Sequence, residues 1–115
     1  MAFFVHIIKR TQMNKRDVEI GVAFYTVLAL GKNSFIEKST PTSEPYTEQL
    51  SENYSSIFVN VKQETDGWVQ DTEMSLSDAG IIPNTYNKHE SFLSEKAAKH
   101  HLKFLLKLAS VQDHP

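Results

Sequence analysis

Asp66 and Gly67 stand between two runs of alternating residues, and that arrangement restricts the chain more than any other feature it has. On one side Ile57, Val59 and Val61 alternate with Ser56, Phe58, Asn60 and Lys62. On the other Trp68, Gln70, Thr72, Met74 and Leu76 alternate with Val69, Asp71, Glu73 and Ser75. Period-2 alternation is the signature of a strand with two different faces. Asp-Gly supplies the two positive-φ residues of a tight hairpin turn. Two antiparallel strands are therefore predicted, with Asp71 and Glu73 on the side opposite Trp68, Met74 and Leu76.

A second alternating stretch covers residues 18–30. Val18, Ile20, Val22, Phe24, Leu28 and Leu30 fall on one side, with Thr26 the polar member, and Tyr25 falls on the other. Gly21 is the natural place for a bend in so long a strand. Residues 3–10, Phe-Phe-Val-His-Ile-Ile-Lys-Arg, are apolar on both alternating sets and read as a strand covered on both sides. Residues 11–17 are polar and read as a turn. Residues 31–53 hold Gly31, Asn33, Pro41 and Pro45 among many Ser and Thr, and read as one long loop with a short helix over Tyr46–Glu52. Residues 77–90 also read as loop.

Residues 91–109 lack Gly and Pro and are rich in Ala, Leu, Lys and Glu, which predicts a helix with Ser91 as its N-cap. Its apolar face carries Ala98, His101, Leu102, Leu105 and Leu108, and its outer face Lys96, Lys99, Lys103 and Lys107. Residues 110–115 read as a frayed tail. The fold class expected is α+β, with an antiparallel sheet of about four strands in two hairpins and the C-terminal helix packed on one face. The sheet side of that core is expected to be Val18, Ile20, Val22, Phe24, Ile57, Val59 and Val61. A length of 115 residues fits a single domain over residues 1–115.

The chain has no cysteine, which removes disulfides, thiolate metal sites and a cysteine nucleophile. The apolar run at the N-terminus is too short to span a membrane and has its basic residues on the wrong side for a signal peptide. A cytoplasmic location without membrane contact is expected.

A net charge of −2 conceals a division. Residues 1–40 carry six cations against three anions, residues 41–90 nine anions against two cations, and residues 91–115 four cations against two anions. Two basic groups follow, Lys9, Arg10, Lys15 and Arg16 at the first turn, and the helix lysines Lys96, Lys99, Lys103 and Lys107. Together they are the candidate surface for a nucleic-acid-binding module, the alternative reading. A dedicated binder of nucleic acid usually has a basic domain overall, which this chain is not.

Catalytic motifs are missing. The four glycines are too scattered to cradle a phosphate, and no nucleophile elbow is present. His100 and His101 are adjacent and point about 100° apart on a helix, so they cannot share an ion. His89 begins an H-E-x-x-H pattern that fails at Leu93. A His-dependent enzyme or ligand domain using His6, His89 or His101 is the third reading. No metal, cofactor or catalytic residue is expected.

What remains is a non-catalytic binding protein acting through a protein partner, through self-association, or both. Its candidate contact residues are Tyr25 and Phe58, on the strand sides away from the larger apolar sets, with Tyr46, Asp71 and Glu73. In size and style the chain resembles accessory and inhibitor proteins of phages and mobile elements, a resemblance of general character that no single motif carries.

Overall fold

A computed structural model describes residues 13–112. The chain forms strands β1 (Phe24–Leu28), β2 (Phe35–Pro41), β3 (Tyr46–Ser51), β4 (Tyr54–Thr65), β5 (Trp68–Ser75) and β6 (Glu90–Phe92), then helix α1 (Glu95–Gln112). Short 3-10 turns occupy Lys15–Asp17 and Gly31–Asn33. All strand pairs are antiparallel, and the fold is α+β. The sheet has six strands rather than about four. The expected strand over residues 3–10 lies outside the described residues, as do Lys9, Arg10 and His6.

The hairpin at Asp66-Gly67 forms as its residues dictate. Thr65 pairs with Trp68, and the two turn residues take φ of 48° and 83°. Both values lie in the left-handed region that a right-twisted two-residue hairpin requires.

Two of the additional strands come from residues 31–53, which are not a loop, and the third, β6, from the stretch expected to end a loop and begin the helix. β2 and β3 run along the same edge of β4, β2 beside Val61–Glu64 and β3 beside Ser55–Phe58. Pro41 closes β2 where the ladder breaks, the place in a sheet that proline tolerates. Residues 42–45 then bulge away and are pinned to the middle of β4: Thr42 N–H donates to the Asn60 carbonyl (2.8 Å), and Asn60 N–H donates to Ser43 Oγ (3.0 Å). The polar composition that suggested a loop reflects strands stabilised by partners on both edges or by solvent, not by apolar alternation.

The stretch from 18 to 30 is shorter as a strand than its pattern implies. β1 begins only at Phe24, because Gly21 (φ 82°) turns the chain and its N–H donates to the Pro41 carbonyl (3.0 Å). Ile20 and Val22 are consequently exposed, whereas Val18 is buried.

Two cores lie on opposite faces of the sheet. One face of β1 and β4 presents Phe24, Val59 and Val61 to Met13, Val18, Leu76, Ala79 and Ile81, with Ile57 and Met74 at the margin. The other presents Val27 and Phe92 to Ala98 of α1, with Tyr25, Ile36, Leu102 and Leu105 half-buried around them. The helix therefore packs on the Tyr25–Val27 side and not on the Phe24 side. Phe24, Val59 and Val61 are core residues, but irregular chain covers them. Leu108, expected in the core, is exposed.

The helix starts at Glu95 rather than at residue 91. Ser94 caps it, its Oγ accepting from Ala97 N–H (3.2 Å), while Ser91 lies buried in β6. Among the described residues no helix is long and apolar enough to cross a membrane.

Candidate functional site

Residues directly opposite each other in an antiparallel ladder share a face. On the helix side of the sheet these pairs are Tyr25 with Phe92 and Lys38, Lys38 with Glu64, Lys62 with Thr40 and Asp71, Asn60 with Glu73, and Phe58 with Tyr46. Helix α1 covers the β6–β1–β2 end of this face. The β3–β4–β5 end extends beyond it and faces solvent. Tyr46, Phe58, Asp71 and Glu73, four of the contact residues chosen from the sequence, are together on that open end.

The geometry there is specific. The Tyr46 and Phe58 rings stack at 6.4 Å with an interplanar angle of 28°. The Tyr46 hydroxyl reaches across β4, lies 3.2 Å from Asn60 Oδ1 and donates to the Glu73 carboxylate on β5. The bulge over residues 42–45 sets this reach, because it places Tyr46 at the first pair of β3 opposite Phe58. The hydrogen bond to Glu73 pushes the Tyr46 phenol up to about 12. Asp71 and Glu73 stay exposed, with exposed Lys62 beside Asp71. A salt bridge from Lys38 to Glu64 (3.5 Å) separates this patch from the helix.

Tyr25 does not join the patch. It shares the same face, but it is half-buried against α1. The position opposite the larger apolar set of its strand is the one the helix occupies.

Trp68 is 78% exposed, and Val69 beside it is exposed too. β2 pairs with β4 only as far as Glu64, so the hairpin tip at Thr65–Trp68 projects past its neighbour. Asn60 and Lys62, both on the open face, were not singled out by the sequence. Their alternation with Val59 and Val61 was the signal that could have found them.

The basic groups are separated. Lys15 and Arg16 lie in a 3-10 turn that Asn14 caps, accepting from Arg16 N–H (3.1 Å). This turn lies between Met13 and Val18, which pack on the face away from the helix. Lys96, Lys99, Lys103 and Lys107 are exposed on α1, with Lys99 paired to Glu95 (3.7 Å).

The histidines occupy different surroundings. His101 lies between the Phe92 and Phe104 rings, with Nε2 3.3 Å from Glu90. The His89 Nδ1 accepts from Ala29 N–H (2.9 Å), and the ring borders an open cleft with Glu37, Asp78 and Thr26. Burial raises the Glu37 carboxyl above the usual carboxylate range. Among the described residues no group of His, Asp and Glu could hold a metal ion.

A protein-family model described as "Phage g100-like protein" matches residues 12–105. No curated protein matches the chain, and no solved structure does. The match runs from the residue before Met13 through every strand and into α1 as far as Leu105, so the chain belongs to the phage g100-like protein family.

Proposed function

We propose that this phage-family chain is a non-catalytic accessory protein that binds a protein partner through the open end of the sheet. The observation that carries the reading is the convergence of Tyr46, Phe58, Asp71 and Glu73 on one solvent-facing surface, two stacked aromatics beside two carboxylates. Aromatic residues are enriched at protein interfaces, and the Tyr46–Glu73 bond holds the larger contact group in one position before binding. Lys62 is the single cation among these side chains, so the complementary partner surface is basic around an apolar side chain. The outer edge of β5, which pairs with no other strand among the described residues, continues the same surface and provides a route to self-association.

Capture of partners by the tagged full chain during phage infection, with mass spectrometry, tests the reading. Phe58→Ser and the pair Asp71→Lys with Glu73→Lys are expected to lose the partner, and Lys103→Glu on the helix to keep it. A partner retained by the sheet variants and lost by Lys103→Glu moves the site to the helix. Binding of oligonucleotides at low salt that disappears with Lys103→Glu replaces the reading with a nucleic-acid module.

A further inference from the structure

The last strand on one side of the sheet is β5, which pairs with β4 and with no other strand among the described residues. On the opposite side β6 already accepts Met13 N–H on its Ser91 carbonyl (3.1 Å). β3 is interrupted by a register shift between Gln49 and Ser51. β5 keeps one register from Trp68 to Ser75 and so presents a regular edge.

The ladder fixes which backbone groups that edge offers. In a two-residue hairpin the flanking pair, here Thr65 and Trp68, exchanges its hydrogen bonds inward, and such pairs recur at every second residue. Gln70, Thr72 and Met74 therefore bond to β4, in phase with Leu76, whose N–H donates to the Ile57 carbonyl (3.0 Å). Val69, Asp71, Glu73 and Ser75 turn N–H and C=O outward. Ala79 N–H takes the Ser75 carbonyl (3.2 Å), which leaves Val69, Asp71 and Glu73 as the open part among the described residues.

Their side chains decide what can pair there. All three are exposed, and they share the face that carries the Tyr46–Phe58 stack. A strand added antiparallel sets its own residues directly opposite them. A second copy joined about Asp71 sets Asp71 against itself, and one joined about Thr72 sets Asp71 against Glu73. Like charges directly opposite destabilise a ladder, and opposite charges stabilise it. Self-association along this edge thus runs against repulsion, whereas a strand bearing cations is drawn to it. Among the described residues the ion pairs join Lys38 to Glu64, Lys99 to Glu95 and His101 to Glu90. Neither Asp71 nor Lys62 beside it is in one of them. Glu73 receives the Tyr46 hydroxyl on Oε2, and Oε1 remains for a cation. Trp68 and Val69, 78% and 54% exposed, end the edge with apolar surface.

We propose that an extended segment of a partner protein, with Lys or Arg at two positions two residues apart and an apolar residue two further on, adds antiparallel to β5. Its cations meet Glu73 and then Asp71, and its apolar residue lies against Val69 beside Trp68. In strand addition of this kind main-chain bonds supply affinity and alternate side chains supply specificity. The assignment rests on the reading of a basic protein partner at the open end of the sheet, and adds the form in which that partner binds.

Amide exchange, read residue by residue on the full wild-type chain, is the test. In the free chain Gln70, Thr72 and Met74 are expected to exchange ~100-fold slower than Val69, Asp71 and Glu73. Protection of the second set in the free chain overturns the proposal, a monomeric mass then assigning the edge to this chain's own residues and a dimeric mass to a second copy. At millimolar concentration the capped peptide Thr-Lys-Val-Arg-Thr-Val-Thr is expected to slow the second set ~10-fold. The same peptide with Glu in place of Lys and Arg is expected to leave it unchanged. No slowing by the basic peptide, or equal slowing by both, overturns the proposal. A basic peptide that shifts the Tyr46 and Phe58 ring signals while those three amides keep their rate binds the face alone. That result leaves the proposed function standing and overturns the added strand.

Discussion

The hydroxyls of Thr26 on β1 and Ser91 on β6 lie 2.8 Å apart in a buried position, and Ser91 Oγ donates its one proton to the Ala79 carbonyl (2.6 Å). Thr26 is therefore the donor to Ser91, and Ser91 ties the sheet edge to the chain covering it. Ser91→Ala strands both the Thr26 hydroxyl and the Ala79 carbonyl, and a buried group left without a partner costs ~1–3 kcal/mol. Thr26→Val removes only the donor. Urea unfolding is expected to show the larger loss for Ser91→Ala, and the reverse order would mean that the proton runs the other way.

Ser39 is equally buried, yet its Oγ has no hydrogen-bond partner among the described residues. The hydroxyl lies in the middle of β2, opposite Phe24, and contributes a desolvated polar atom to an apolar layer. Ser39→Ala is expected to stabilise the fold by up to ~1 kcal/mol. Two serines of the same burial thus respond to the same substitution with opposite signs. Destabilisation by Ser39→Ala in the same urea assay would point to a partner for that hydroxyl.

Glu37 faces Thr26 across β1 and β2 and accepts a hydrogen bond from Gln63 Nε2 (3.3 Å). Burial raises its carboxyl in the folded state, so the fold favours the protonated form. Its contribution is therefore complete in acid and is lost as pH rises from the usual carboxylate range through the raised value. Glu37→Gln keeps an acceptor for Gln63 and carries no charge to desolvate. The variant is expected to have the higher urea midpoint at pH 7, with the two midpoints converging as the pH is lowered below the carboxylate range. A difference that stays constant with pH would assign the effect to packing.

The hairpin, the helix and the α+β class were legible because each rests on local chemistry: a turn pair that requires positive φ, a 3.6-residue period, alternation in β4 and β5. β2 and β3 were not, since polar residues such as Lys38, Thr40, Glu48 and Gln49 become strand by pairing with β4, a nonlocal event. The choice of face was hidden for a related reason. Phe24 and Val27 lie on opposite sides of β1 and both are fully buried, so alternation shows that two faces exist without saying which one the helix takes. That ambiguity hid that Tyr25 is half-buried beside the helix while Phe58 lies on the end of the same face that α1 does not reach. The exposure of Trp68 was hidden too, because hydrophobicity predicts burial only where cover extends alongside, and β2 pairs with β4 no further than Glu64.

The Tyr46–Glu73 bond gives the candidate site its own titration. The phenol is held at about 12 chiefly by donating to the Glu73 carboxylate, against ~10 for an unperturbed tyrosine. The bond therefore contributes its full stabilisation below pH ~10 and loses it as pH rises toward 12. Glu73→Gln removes the charge and weakens the acceptor. Following tyrosinate absorbance, one of the four tyrosines is expected to ionise at lower pH in the variant. Tyr86, which donates to Asp78 at 2.6 Å, is expected to stay unchanged as the internal control. The same substitution leaves β5 paired with β4 through its backbone, so thermal stability at pH 7 is expected to change little. A titration curve identical to that of the wild type would show that Tyr46 is free of Glu73 in solution, and the open face would then lack its fixed aromatic anchor.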